Sequence, residues 1–334
     1  MREPCPVALR CAAPWPVRSS FREYLGVFMQ QLQGSTGKKV GMGILGLVAL
    51  VVLYLVAVGL ISSPSTDPYK PEPLAANATD QDRATVIARG LTTALDQSLS
   101  SGFGWLPNDL IAPWVIDNTT NYQRGVIYAT RPASEVISQN VGRYGNRDTM
   151  DPRLANATSR FFSYSENVWG FLFVYDAEGK YKSGIKNWAD WASSVGTEGK
   201  NAGVYNLRSD DVYNIIKYCV TMTEFALGVL NESNVGHFKT DNNLYYAKGV
   251  CAVTANVFRA LLAIDSSIYE RGGAENVNEA LKRFEYIDEF NPMYVMAGGN
   301  EIGDAMMPNH IAALARHIDI ANNRLTDILA TMAR

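Results

Sequence analysis

The chain is short of the residues that most often carry chemistry. Among 334 residues there are 4 cysteines and 3 histidines, too few for a disulfide-dense miniprotein or a His-rich zinc site. A basic excess is missing as well. Acidic residues number 33 against 30 basic ones, whereas nucleic-acid binders carry a strong positive balance, so no nucleic-acid partner is expected. The sequence contains no Walker A segment, no Gly-x-Ser-x-Gly, no Cys-x-x-Cys and no His-Glu-x-x-His. Strand-like alternation is scarce, Phe171 to Tyr175 being its best instance, and there is no internal repeat or low-complexity tract. A hydrophobic content of 47% also excludes a wholly disordered chain.

What is present is one long apolar run. Val40 to Ile61 holds no charged residue, and at 1.5 Å per residue it reaches roughly 33 Å, enough to cross a bilayer core. A cleaved signal peptide would have a shorter apolar region and small residues at its end, where Leu60 and Ile61 stand. The expectation is a transmembrane helix over residues 38–62, in contact with lipid through residues 40–61. Six basic and two acidic residues precede the run; Lys70 is the one basic residue in the twenty that follow. The positive-inside rule then puts residues 1–37 in the cytoplasm and the rest outside, which in a bacterium is the periplasm. Residues 62–334 carry 24 basic and 31 acidic residues, net −7.

Residues 1–37, with Pro4, Cys5, Pro6, Cys11, Pro14 and Pro16, show no helical or strand period. Two readings stand: a cytoplasmic tail, or upstream sequence from a wrongly assigned start with Met29 as initiator. Residues 63–79 are rich in proline, which removes backbone donors and favours extended geometry. They read as a semi-stiff spacer lifting a folded part off the bilayer.

Residues 80–334 read as helical. Ile87, Leu91, Leu95 and Leu99 recur at helical spacing after a capping-box pair, Thr79 and Asp82. Further stripes run over residues 210–230, 243–269 and 277–290. From Pro308, the positions Ile311, Leu314, Ile318, Ala321, Leu325, Ile328 and Met332 alternate in threes and fours. The fold class expected is all-α: one N-terminal transmembrane helix followed by a periplasmic bundle of roughly six to eight helices. Cys219 and Cys251 fall on facing stripes of a helical hairpin, within about one turn of level. They are either a disulfide staple or two buried thiols.

Candidates for chemistry are few. His310 and His317, seven apart, read as a helix-start polar group and a solvated side chain rather than a metal pair, and no metal or cofactor is expected. Gly298 to Asp304 is either a connection between helices or a pocket lip. In the second case Glu301, Asp304, Asn309 and His310 face a ligand, and Glu301, Asp304 and His310 are the candidate catalytic acid–base groups. Aromatic residues crowd between Phe161 and Trp191, either as a thick core layer or as an exposed patch for a partner or a sugar polymer.

Several stretches together resemble a known family. They are Gly104-Trp105-Leu106-Pro107-Asn108-Asp109-Leu110, Pro113, Asp117-Asn118, and Tyr122-Gln123-Arg124-Gly125-Val126. Tyr245-Tyr246-Ala247-Lys248-Gly249, Met296-Ala297-Gly298-Gly299, Asn309-His310 and Asn322 follow in order. The resemblance is to an uncharacterised proteobacterial family, catalogued as a domain of unknown function. It implies a single-pass inner-membrane protein with a helical periplasmic part, and no activity. Phe173-Val174 depart from it, standing where the family shows a Pro-Ser pair.

The matched polar residues Asn108, Asp109, Asp117, Asn118, Asn309, His310 and Asn322 suit turns and caps. The expectation is one structural polar network tying the N-terminal turn to the last helix. The functional expectation leans away from an enzyme, toward an envelope scaffold or adaptor with an envelope protein as partner. The alternatives are a periplasmic hydrolase acting on envelope polymer and a small-molecule or lipid-binding module.

Overall fold

The computed structural model describes residues 35–62, 64, 67–100, 104–108, 117–142, 150–168, 176–199, 201–232, 239–292, 295–296 and 308–333, without the side chains of 35–37, 54–62 and 108. The chain divides into two compact units, Met1–Ala57 and Val58–Arg334. Among the described residues there is no strand, only an isolated bridge between Val195 and Gly203.

Helix α1 is Ser35–Ser62. Its apolar side chains face outward: Met42 is 74% exposed, Leu45 70% and Leu53 69%. Among the described residues, the other long helices each bury one face, and this one leaves its apolar side chains exposed.

The second unit is built around one helix. In chain order come α2 (Asp80–Ser100), a 3₁₀ turn (Leu106–Asn108), α3 (Asp117–Val141) and α4 (Pro152–Asn156). A π turn (Ala157–Phe162) extends α4, followed by α5 (Ala177–Ser194), α6 (Ser209–Leu230) and α7 (Thr240–Ile264). The last are α8 (Ser267–Gly272), α9 (Ala274–Glu289) and α10 (His310–Met332). Helix α7 is apolar and long enough to cross a membrane, yet nearly all of it is buried inside the bundle. It packs against α2, α3 and α6, with α9 and α10 completing the enclosure.

Glycine lets the backbones meet. Gly125 of α3 faces the Tyr246 carbonyl of α7, and Gly249 of α7 faces the Tyr122 carbonyl of α3, so a methyl group at either would collide with main chain. Gly90 of α2 similarly lies against the Asn256 carbonyl and the Ala260 side chain. Elsewhere ordinary packing suffices. Leu314, Ile318, Leu325 and Ile328 of α10 are fully buried, each contributing about 1.5–3 kcal/mol.

Local signals explain several boundaries. The box before α2 forms: Thr79 N donates to Asp82 Oδ2 at 3.0 Å, and Asp82 N donates to Thr79 Oγ1 at 3.1 Å. The stripe over 243–269 is not one helix; it ends at Ile264, where the Asp265 carboxylate accepts from Ser267 N and the chain restarts as α8. Helix α10 starts one residue after Asn309, whose side chain caps Ala312 N, so Pro308 precedes the cap instead of opening the first turn.

Two open readings are decided and one expectation changes. Of the aromatic crowd, Phe162, Tyr181, Trp188 and Trp191 belong to the core: all four are fully buried, with the two Trp rings edge-to-face at 5.5 Å. The proline-rich segment is no free spacer from Asp67 onward. Its extended backbone leaves main-chain groups free to pair. Gln97 Nε2 donates to the Asp67 carbonyl (3.0 Å), Tyr69 N donates to Asn256 Oδ1 (2.9 Å), and Leu74 N donates to the Ala263 carbonyl (2.8 Å). Cys219 and Cys251 are unbonded buried thiols, the Cys219 Sγ lying 3.9 Å from the Thr254 carbonyl. Phe171 to Tyr175 lies outside the described residues.

The glycine crossing predicts opposite signs for the same substitution. Gly228, on the exposed face of α6 with nothing near it, gains stability of up to about 1 kcal/mol as Gly228→Ala, from helix propensity alone. Gly249→Ala loses about 3 kcal/mol, because backbone cannot move aside as a side chain can. Thermal melts of the two variants check this.

Candidate functional site

Two polar constellations lie inside the bundle. The first is built on α3. Gln123, 1% exposed, projects from α3 toward the 3₁₀ turn and holds three main-chain groups. Leu106 N donates to its Oε1 at 2.9 Å, while its Nε2 donates to the carbonyls of Gly104 (2.8 Å) and Ser98 (3.0 Å). Gly104 has φ +64°, which reverses the chain so that Trp105 points inward. There Trp105 N donates to Glu178 Oε2 (3.1 Å), the indole Nε1 donates to the Glu166 carbonyl (2.9 Å), and its ring meets Tyr181 edge-on at 4.9 Å. Tyr181 Oη donates to the Tyr164 carbonyl, and Arg131 donates to the carbonyls of Phe162 and Tyr164. Burial pushes the Tyr181 phenol up to about 12, with Arg131 opposing.

The second constellation is built on α7. Lys248 and Arg259 are the two charges in its run from Leu244 to Ile264, and both are buried. Arg259 Nη2 donates to Asp288 Oδ2 of α9 at 2.6 Å, and its Nη1 lies 3.4 Å from Asn256 Oδ1. Lys248 Nζ donates to the Phe290 carbonyl at 2.7 Å, and Tyr245 Oη donates to the Pro292 carbonyl at 3.1 Å. Burial lowers the Lys248 ammonium to about 8 against the pull of Asp288. Burial also raises Asp288, while Arg259, Lys248 and Lys70 hold it down.

With this geometry in hand, comparison places the chain. Residues 34–233 match the model of a family described as an uncharacterised protein conserved in bacteria, DUF2333. The chain belongs to this family. No curated protein and no solved structure matches it. The matched segment covers α1 and the whole Gln123–Trp105 constellation; Lys248, Arg259 and Asp288 lie beyond it.

The described members of the expected network lie at separate places. Asp117 and Asn118 open α3, where burial and the Asp241 charge push the Asp117 carboxyl up. Asn309 and His310 open α10. His310 Nδ1 accepts from Met296 N (2.9 Å), its own N–H donates to the Met296 carbonyl, and its ring meets Phe290. Asn322 sits mid-way along α10, donating to the Val220 carbonyl (3.0 Å) and Thr223 Oγ1 (2.8 Å) of α6. Asn309, His310 and Asn322 each bond to main chain near them, whereas Asn118 Oδ1 is buried with no hydrogen-bond partner. Asp109, Glu301 and Asp304, and the side chain of Asn108, lie outside the described residues.

Sequence reasoning passed over Gln123 as a clamp, and over Arg259 and Asp288 altogether. The available signal was the isolated charge inside an apolar stripe, since a buried arginine must have a partner. Chemically, both constellations are occupied: their donors are committed to carbonyls and carboxylates of the protein itself.

Two outcomes are expected. Gln123→Leu keeps the volume but strands Leu106 N and two carbonyls, and lowers stability by about 2–4 kcal/mol in denaturant titration. For Lys248 the folded state releases its proton at about 8 while the unfolded chain holds it until the ordinary lysine range. Stability therefore rises with pH from about 8 toward 10. Above the ordinary phenol value the raised Tyr181 acts oppositely, its contribution falling away as pH climbs toward 12. Lys248→Met abolishes the rise and leaves the fall, as read by melts across the range.

Proposed function

We propose that the chain is a single-pass inner-membrane protein of proteobacterial type, with residues 1–37 cytoplasmic and the helical bundle periplasmic. The bundle serves as a non-enzymatic scaffold or adaptor in an envelope complex. The observation that carries the anchor is α1: an apolar helical surface left exposed from Val40 to Leu53 is untenable in water and at home in lipid. Lys38 and Lys39 just before the charge-free run support the orientation.

Support for the adaptor role comes from the bundle's own surface. Phe162, Tyr181, Trp188 and Trp191 of the aromatic segment, and Leu314, Ile318, Leu325 and Ile328 of the α10 stripe, are spent on the core. The exposed large apolar side chains of the described bundle are Tyr286 (43%) and Met296 (38%). Tyr286 stacks near His317 at 4.9 Å with the Arg283 guanidinium 5.7 Å from its ring. Burial and the neighbouring guanidiniums of Arg283 and Arg316 lower His317, so its neutral Nδ1 accepts from Arg283 Nη1 at 3.3 Å. Tyr, Met and Arg are the side chains enriched at protein interfaces. A surface depression of about 360 Å³ is lined by Glu275, Asn278, Glu279, Lys282 and Arg324. Such a charged, open hollow does not favour a small-molecule or lipid site, which is mostly apolar.

The test joins location to partner. Alkaline phosphatase fused after Arg334 is active in cells, and fused before Lys38 is not; the reverse pattern overturns the topology. A photo-crosslinker at position 286 captures one recurring envelope protein, lost in Arg283→Ala while the melting temperature holds. Adducts of the protein with itself alone overturn the adaptor reading.

A further inference from the structure

We propose that residues 67–75 form a latch: an extended strap that opens as a unit and, in opening, uncovers the Arg259–Asp288 pair of the central helix without unfolding the bundle. Four residues separate its first member, Asp67, from the end of α1 at Ser62. The strap holds Pro68, Pro71 and Pro73 and has no helical hydrogen bonds of its own.

Its attachments are few and separable. Three main-chain hydrogen bonds join it to α2 and α7, through Gln97, Asn256 and Ala263. Half-buried Tyr69 and Leu74 pack against the core. The Lys70–Glu285 contact, 3.6 Å between exposed side chains, adds little. A segment held by so few bonds opens at lower free energy than a helix enclosed on all sides.

What lies beneath makes it more than a loose end. Asp67 and Pro68 line a small cavity together with Gln97, Tyr122, Asn256 and Asp288. The Gln97 Oε1 there is buried with no hydrogen-bond partner, although Nε2 of the same amide holds the strap. Asn256 is the joint between strap and ion pair. Its Oδ1 accepts from Tyr69 N and also faces Arg259 Nη1, whose guanidinium pairs with Asp288. Lifting the strap takes one donor from Asn256 and brings water to Asp288. Weakening the ion pair frees Asn256 and loosens the strap. The coupling is reciprocal, as linkage requires, and it does not depend on α1 being in a membrane.

Hydrogen exchange on the full-length chain in detergent micelles tests the proposal. In the unaltered protein, the amides of Tyr69 and Leu74 exchange at least about tenfold faster than those of Leu314–Ile328, through an opening that low urea does not accelerate. Asp288→Asn speeds the two strap amides by a factor of about ten beyond any change it causes at Leu314–Ile328. Arg259→Lys replaces it should that variant fail to fold, with the same expectation. Strap amides that exchange only with the whole bundle overturn the latch. So does a strap that opens early but ignores the ion-pair variants, because it is then uncoupled from the site.

Discussion

The bundle depends on two helices meeting backbone to backbone. Where α3 crosses α7, Gly125 and Gly249 each face the other helix's carbonyl. That closeness lets α2, α3 and α6 surround one helix at once. Helix α7 is consequently buried on nearly every side, a condition ordinarily met in the core of a larger protein. The glycines forgo helix propensity of about 1 kcal/mol each, and the packing they permit more than offsets it. Tyr122, Val126, Val250 and Val253 are all fully buried around the crossing.

A helix enclosed by apolar neighbours could slide or rotate among similar packings. The polar residues on α7 remove that freedom. Lys248 reaches the Phe290 carbonyl at the end of α9, Arg259 reaches Asp288, and Asn256 reaches the strap. Burying such charges costs desolvation that pairing only partly returns. Their benefit lies in direction: each bond is made in one register and lost in the next. Asn322 does the same between α10 and α6.

Much of the fold was legible in the sequence wherever a single period governed a segment. The α2 box, the α6 stripe and the α10 alternation all lie where spacing puts them. Three things were not legible. Helix α3 runs through Pro132 and carries Gly125 and several hydroxyl residues, so its period is diluted by residues selected for close approach. The strap looked like a spacer because proline content reports backbone geometry, not whether a neighbour offers a donor or acceptor. The polar network looked like one site because its members shared a residue type. Residue type says that a cap or clamp is needed, and only the fold says which main-chain group is nearest. The ion pair at Arg259 had a visible half, the lone charge on an apolar stripe, while Asp288 was one acid among many.

The way polar atoms are used bears on what kind of protein this is. Gln123 holds two carbonyls and an amide, Arg131 two carbonyls, Lys248 one carbonyl, Asn322 a carbonyl and a hydroxyl. Glu178 caps an amide and pairs with Lys182. A catalytic site works the other way: it keeps donors and acceptors aimed at a position the substrate will fill. Gln123, Arg131, Lys248 and Asn322 spend theirs mostly on the protein's own backbone, whereas Asn118 Oδ1, Trp191 Nε1 and Tyr205 Oη are buried with no hydrogen-bond partner. That expenditure fixes how the helices it joins pack against one another. At the surface Tyr286 stands exposed beside His317 and the Glu279-paired Arg283, and under the strap Gln97 Oε1 lies unbonded.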